Sequence, residues 1–220
     1  MRALVFSRTA GYRHESIPAG VAALTELGPA AGLAVESTED GGAFTAAALR
    51  AHAVVVFLNT SGEVLDDTQR AALEAYVRAG GGFVGVHCAA ATEPRWPFFR
   101  RLVGAAFADH PDIQPARIRV VDRSHPATAH LGPAWERTDE WYNFDARPPP
   151  GVRVLLRVDE ASYTGGTMGD DHPVAWCHDE AGGRTFYSAL GHTVESYAEA
   201  PLRAHLLGAL AWAASGRPAG

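Results

Sequence analysis

Lysine is missing from this chain: all 19 basic residues are arginine. With no side-chain amine, Schiff-base catalysis, covalent pyridoxal phosphate attachment and the standard P-loop are excluded, because each needs a lysine. Cysteine is scarce, limited to Cys88 and Cys177. Two cysteines make no disulfide framework, and the cytoplasm is the expected compartment. No window reaches the roughly 18 uninterrupted apolar residues of a membrane span. The opening run from Met1 to Ser7 is too short for a signal peptide and reads as a first strand. An excess of positive charge is lacking too. The net charge is −6, which argues against nucleic acid or an anionic membrane as the partner.

What remains is the composition of a folded domain. The chain has 220 residues, 47% of them hydrophobic, which is enough to bury a core and suits a single domain over residues 1–220. No internal repeat or linker divides it. Arg2–Ser7, Ala34–Thr38, Ala53–Leu58 and Gly82–Val86 read as strands. The uninterrupted apolar run Ala53–Leu58 fits a strand covered on both faces. Between the strands lie helical stretches. Ser16 is a candidate cap with Pro18 in the first turn, followed by Val21, Leu24 and Leu27 on one face. Asp66 and Gln69 form a capping-box pattern ahead of Leu73, Tyr76 and Val77, and Gly80 stops that helix. Pro201 opens a last helix with Leu202, Leu206, Ala209 and Leu210 on its apolar face. Strands alternating with amphipathic helices predict right-handed βαβ units. The expected fold is a flavodoxin-like α/β three-layer sandwich, with a mainly parallel sheet and helices on both faces. In the second half, Arg117–Val121, Val152–Val158, Val174–His178 and Thr185–Ala189 look like strands with short connections, so that part of the sheet is expected to be mixed. Pro148-Pro149-Pro150 reads as a stiff surface spacer.

Gly80-Gly81-Gly82-Phe83-Val84-Gly85 matches the dinucleotide-binding pattern G-x-G-x-x-G but follows a helix and enters a strand. The fingerprint requires the reverse order, so these glycines read as a helix stop and close packing. Gly85-Val86-His87-Cys88-Ala89 is more informative. A buried strand ends in small residues, as in a nucleophile elbow, and His87 rather than Cys88 holds the nucleophile position. A histidine there can titrate near neutral pH. The plain alternative is a packed strand end. Other polar loops follow other strands. Arg13 and His14 sit after the first, and Asn59 after the third. Asp139-Glu140-Trp141-Tyr142 combines carboxylates with aromatic faces, as sugar sites do. His172 and His192 lie in two further loops. Ten histidines raise a metal reading. Yet no i, i+4 histidine pair, H-E-x-x-H or C-x-x-C occurs, so sequence leaves the metal unknown. His52, His178 and His205 read as surface or packing residues.

Taken together, Gly11-Tyr12-Arg13-His14, the Gly80–Ala91 stretch, Asp139-Glu140-Trp141-Tyr142, His172-Pro173-Val174-Ala175-Trp176, Gly183-Arg184-Thr185-Phe186-Tyr187 and Gly191-His192-Thr193 give the chain its resemblance. It resembles the ThuA-like (trehalose utilisation) family along nearly its whole length. The resemblance implies a class I glutamine amidotransferase-like fold without the amidotransferase machinery, which agrees with the missing elbow cysteine. It also implies a role in the metabolism of trehalose or related disaccharides, 3-keto sugars included.

Together these features predict an enzyme acting on a small-molecule sugar or keto-sugar. His87 would be the acid or base, with His14 or Glu140 as partner. Arg13, Asn59, Trp141, Tyr142, His172 and His192 would shape the pocket. No organic cofactor is expected, and a divalent metal such as zinc stands as an alternative. The competing readings are a non-catalytic sugar-binding protein and a metal-dependent hydrolase. A glutaminase would need Cys88 at the elbow position that His87 holds. The oligomeric state, a homo-oligomer included, stays open.

Overall fold

The computed structural model describes residues 1–179 and 181–216. The first half runs β1 (Arg2–Phe6), α1 (Ile17–Leu27), β2 (Ala34–Thr38), α2 (Ala46–Arg50), β3 (Val54–Leu58), α3 (Asp67–Arg78) and β4 (Gly82–Val86). The second half runs α4 (Pro97–Val103), β5 (Phe107–Asp109), β6 (Gln114–Val120), β7 (Ala134–Asp139), β8 (Asn143–Phe144), β9 (Arg153–Val158), β10 (Pro173–His178), β11 (Thr185–Ser188) and α5 (Ala200–Ala214). Nine strands form one sheet in the order β2-β1-β3-β4-β11-β10-β9-β6-β7, while β5 pairs with β8 in a separate ribbon.

The five strands from β2 to β11 are parallel. Every residue of β3 and β4 is buried, as unbroken apolar strands between two helical layers must be. The chain steps from β1 to β2 in one direction and then from β2 past β1 to β3 and β4 in the other. Because βαβ crossovers are right-handed, this reversal puts α1 and α3 on opposite faces. It also opens a crevice at the carboxyl ends of β1 and β3, where open α/β sheets bind ligands.

From β10 to β7 the neighbours alternate in direction. Counting the reversals, β9 and β7 end at the same edge as β4 and β11. A sheet this wide curls under its own twist. From β7, Arg137 reaches Ser196 and Glu199 in the segment that leads into α5. Strands β6 and β7 alternate buried and exposed residues, as a sheet with one wet face does.

The capping box of Asp66 and Gln69 is formed, and Leu73, Tyr76 and Val77 are the buried stripe of α3. Ser16 corrects the expectation for α1. It makes no cap bond, and its hydroxyl instead accepts from Asn59 Nδ2 at 3.0 Å. The buried face of α1 is Ile17, Gly20, Ala23 and Leu24, so Val21 and Leu27 are only partly covered. No helix among the described residues is long and apolar enough to cross a membrane.

Candidate metal centre and active site

Five strand ends converge on one cavity. The loop after β1 brings His14, β4 runs directly into His87, β7 into Glu140, and the segment after β11 brings His192. One ligand atom from each of these four residues lies within 4.8 Å of the others. The fifth strand end contributes His110, which follows β5.

His87 sits in a 3-10 turn with φ at +49°, a left-handed conformation that costs a non-glycine residue energy. Three features hold it there. Its carbonyl accepts from Tyr187 Oη at 2.8 Å, its ring lies on Tyr142 with centroids 4.2 Å apart, and its Nδ1 donates to the Ala189 carbonyl at 2.6 Å. A side chain at residue 85 would lie 3.1 Å from the Tyr187 ring and 3.3 Å from Ala89, so the elbow needs its small residues. Because a carbonyl only accepts, Nδ1 carries a proton, and Nε2 is the ring atom that faces the cluster. Histidine ligands are typically oriented this way.

The three inner donors are closely spaced. His87 Nε2 is 3.2 Å from His192 Nδ1 and 3.3 Å from Glu140 Oε2, and His192 Nδ1 is 3.0 Å from that oxygen. His14 completes the group. Its ring centroid is 4.8 Å from that of His87 and 4.9 Å from that of His192, and its buried Nδ1 has no hydrogen-bond partner.

The charge preference of each group follows from its burial and its neighbours. Burial, followed by the neighbouring His87 and His192, pushes the His14 pKa down to about 3, so the imidazole is neutral at physiological pH. Burial alone would raise the Glu140 carboxyl. Hydrogen bonds and charge from His192 and His87 overcome that and hold it well below the usual carboxylate range. Burial works against charge on His192, but its hydrogen bond to Glu140 outweighs that and raises its pKa.

The cavity beside the cluster has a volume of about 550 Å³. His14, Glu140 and His192 supply its polar end, while Tyr142 and Phe107 are among its walls. His87 itself is fully buried and does not line the cavity. That position suits a ligand or orienting group better than a base that touches substrate.

Four other residues expected at the site lie elsewhere. Arg13 forms a two-pronged ion pair with Glu39 on the surface, at 2.7 and 3.2 Å, and does not line the cavity. Asn59 is buried with φ at +49°, and its amide ties the end of β3 to Ser16 and the Gly191 carbonyl. Trp141 is buried behind the site, donating to the Gln114 carbonyl at 2.8 Å. His172 is held between Glu160 and the Tyr142 carbonyl, both at 2.8 Å, and so supports Tyr142 from behind.

Sequence reasoning missed His110. Its Nδ1 is 3.1 Å from Glu140 Oε1, the oxygen that faces away from the inner cluster, and its half-exposed ring lines the cavity. It follows a three-residue strand too short to show a period, so only the polar Asp109-His110-Pro111 step marked it. Cys88 also lines the cavity, and burial pushes its thiol up to about 11. A thiol that stays protonated is a poor nucleophile.

This architecture, with its parallel half and a histidine at the turn after β4, defines an α/β protein whose candidate site lies at the carboxyl edge of the sheet. More narrowly, the family model described as trehalose utilisation (ThuA) matches residues 2–213, and the chain belongs to that family. The family points to a carbohydrate-related role. No curated protein matches the chain. Among solved structures, a ThuA-like protein from Bacteroides uniformis is 25% identical with a TM-score of 0.82, covering 97% of this chain and 91% of that one. A second, from Parabacteroides merdae, is 19% identical with a TM-score of 0.81, covering 100% and 92%. A GMP synthase protein from Thermoplasma acidophilum is 12% identical with a TM-score of 0.60, covering 98% and 94%, and shares the fold alone.

Proposed function

We propose that this protein is a divalent-metal-dependent enzyme of carbohydrate metabolism, acting on a trehalose-related sugar or its 3-keto form. The observation that carries the metal reading is the spacing of the inner donors, 3.0 to 3.3 Å apart. Tetrahedral zinc with bonds of about 2.0–2.1 Å needs nitrogen and oxygen donors about 3.3 Å apart. The unpartnered Nδ1 of His14 is a fourth donor beside them. Three histidines and one carboxylate form a donor set suited to zinc and its first-row neighbours.

A bound divalent cation would polarise a carbonyl or lower the pKa of a water. The chain's own groups would do the rest. Tyr142 and Phe107 would take the apolar face of a sugar ring, and Ser61 at the cavity wall would meet a hydroxyl. Glu140 divides its two oxygens, one toward His87 and His192 and the other toward His110. His110 would then hold the outer oxygen of Glu140 from the cavity mouth.

The test is elemental analysis and calorimetry on protein purified without a histidine tag. One equivalent of zinc, manganese or iron is expected, lost on chelation and regained on titration. His192→Ala should weaken binding at least a hundredfold, and turnover of 3-keto-trehalose should follow metal occupancy. Turnover that survives complete chelation, with no stoichiometric metal, would leave acid–base chemistry by Glu140 and its histidines as the mechanism.

A further inference from the structure

A second, smaller cavity of about 240 Å³ adjoins the first. Tyr12, His14 and His192 line both, so two members of the cluster, His14 and His192, stand at the waist of a two-lobed site. The small lobe has an unusual rim. Among the described residues only five large apolar side chains are strongly exposed, and Tyr12, Ile113 and Val194 of these five line this lobe. Tyr12 is 65% exposed, although it packs edge-on against His14. Apolar side chains gathered around a site rather than scattered mark a surface that something covers.

The charges narrow the occupant. Glu15 and Glu195 face the small lobe without an ion-pair partner, and no arginine lines either lobe among the described residues. The nearest cation in sequence, Arg13, is committed to Glu39. Carboxylates accept hydroxyl hydrogens readily but repel phosphate and carboxylate groups.

We propose that the small lobe is a second sugar-ring subsite. It takes the ring beyond the one engaged in the larger cavity, with Tyr12 stacking on it and Glu15 and Glu195 accepting its hydroxyls. It admits unphosphorylated rings and rejects anionic ones. This rests on the carbohydrate reading above and adds to it which residues read the second ring and its charge.

The experiment is calorimetry on the full chain loaded with zinc, using glucose, trehalose and trehalose 6-phosphate as probes. Trehalose should bind about tenfold tighter than glucose, a gap of about 1.4 kcal/mol. The 6-phosphate should bind several-fold weaker than trehalose. Val194→Trp, which fills the small lobe, should erase the trehalose advantage while leaving glucose and zinc affinities unchanged. Ile113→Trp tests the same lobe from a different segment. Glu195→Arg should remove the penalty against the phosphate. Equal affinity for glucose and trehalose, or a 6-phosphate that binds as tightly as trehalose, overturns the subsite and leaves the metal site standing. Zinc binding with no affinity for any sugar overturns the carbohydrate reading, and the subsite falls with it.

Discussion

Asp139 touches no ring of the cluster, yet it fixes two of its members. One carboxylate oxygen accepts from the backbone N–H groups of Glu140 and His192, and the other accepts from Gly191 N–H. Arg137 supplies the buried countercharge at 3.2 Å. Gly191 turns with φ at +109°, and a Cβ there would meet Tyr197 Oη at 2.8 Å, so only glycine lets the loop pass close enough to be clamped. Asp139→Asn replaces one acceptor oxygen by a donor that opposes another N–H. Supporting groups of this kind typically change metal affinity by about 10–100-fold. Zinc affinity should therefore fall by that factor, measured by competition with a chromogenic chelator, while the far-ultraviolet circular dichroism stays native. Unchanged affinity would mean that the His192 loop is held by its glycine geometry alone.

At the scale of elements, the clearest sequence signals came from segments whose burial alone dictates their residues. β3 and β4 read directly because strands covered on both faces must be apolar throughout, and α3 because its cap and stripe are local. The His87 turn was legible as an elbow because sharp turns demand small neighbours. Elements that answer to distant partners were not. α2, α4, β5, β7 and β8 escaped notice: β8 is two residues long, β5 three and α2 five, and the Trp135-Glu136-Arg137 alternation of β7 reads equally as a loop. Asn59, Trp141 and His172 carried the right chemistry, but the fold turned them to holding loops rather than lining the cavity. The last helix shows the same limit. Its apolar face includes Gly208, where an added Cβ would lie 2.4 Å from the backbone of Pro126. Gly208→Ala raises helix propensity by about 1 kcal/mol, but overpacking typically costs about 1–3 kcal/mol. Because the obstacle is backbone, the clash should win. A lowered urea midpoint at unchanged m is the expected result, and a raised midpoint would show that the His125-Pro126 turn yields.

For the molecule as a whole, two of the buried histidines outside the cluster, His205 and His125, pack into the second half of the core. His205, on α5, contacts the Ala127 carbonyl and Ser188 Oγ and packs against Phe186. His125 stacks on the other side of that region, against Phe186 and Trp212. Burial pushes the pKa down to about 3 for His205 and about 4 for His125, against an ordinary value of 6.5. The sign follows from proton binding. Between pH 6.5 and the folded values the unfolded chain holds protons that the native chain refuses, so stability rises with pH across that window and is lost as pH falls through it. Each proton contributes about 1.4 kcal/mol per pH unit once the unfolded imidazole is fully charged, so the pair steepens the acid limb by about 2–3 kcal/mol per unit at pH 5. Urea denaturation at pH 7.5, 6 and 5 should show this slope on top of the carboxylates' own. His205→Gln keeps a polar side chain at this position but cannot protonate. It should cost about 1–3 kcal/mol at pH 7.5 for imperfect pairing and flatten the slope by about half of the pair's share at pH 5. A variant with the wild-type slope would show that the acid sensitivity lies with the carboxylates and the His14–His87–Glu140–His192 cluster instead of the packing beneath α5.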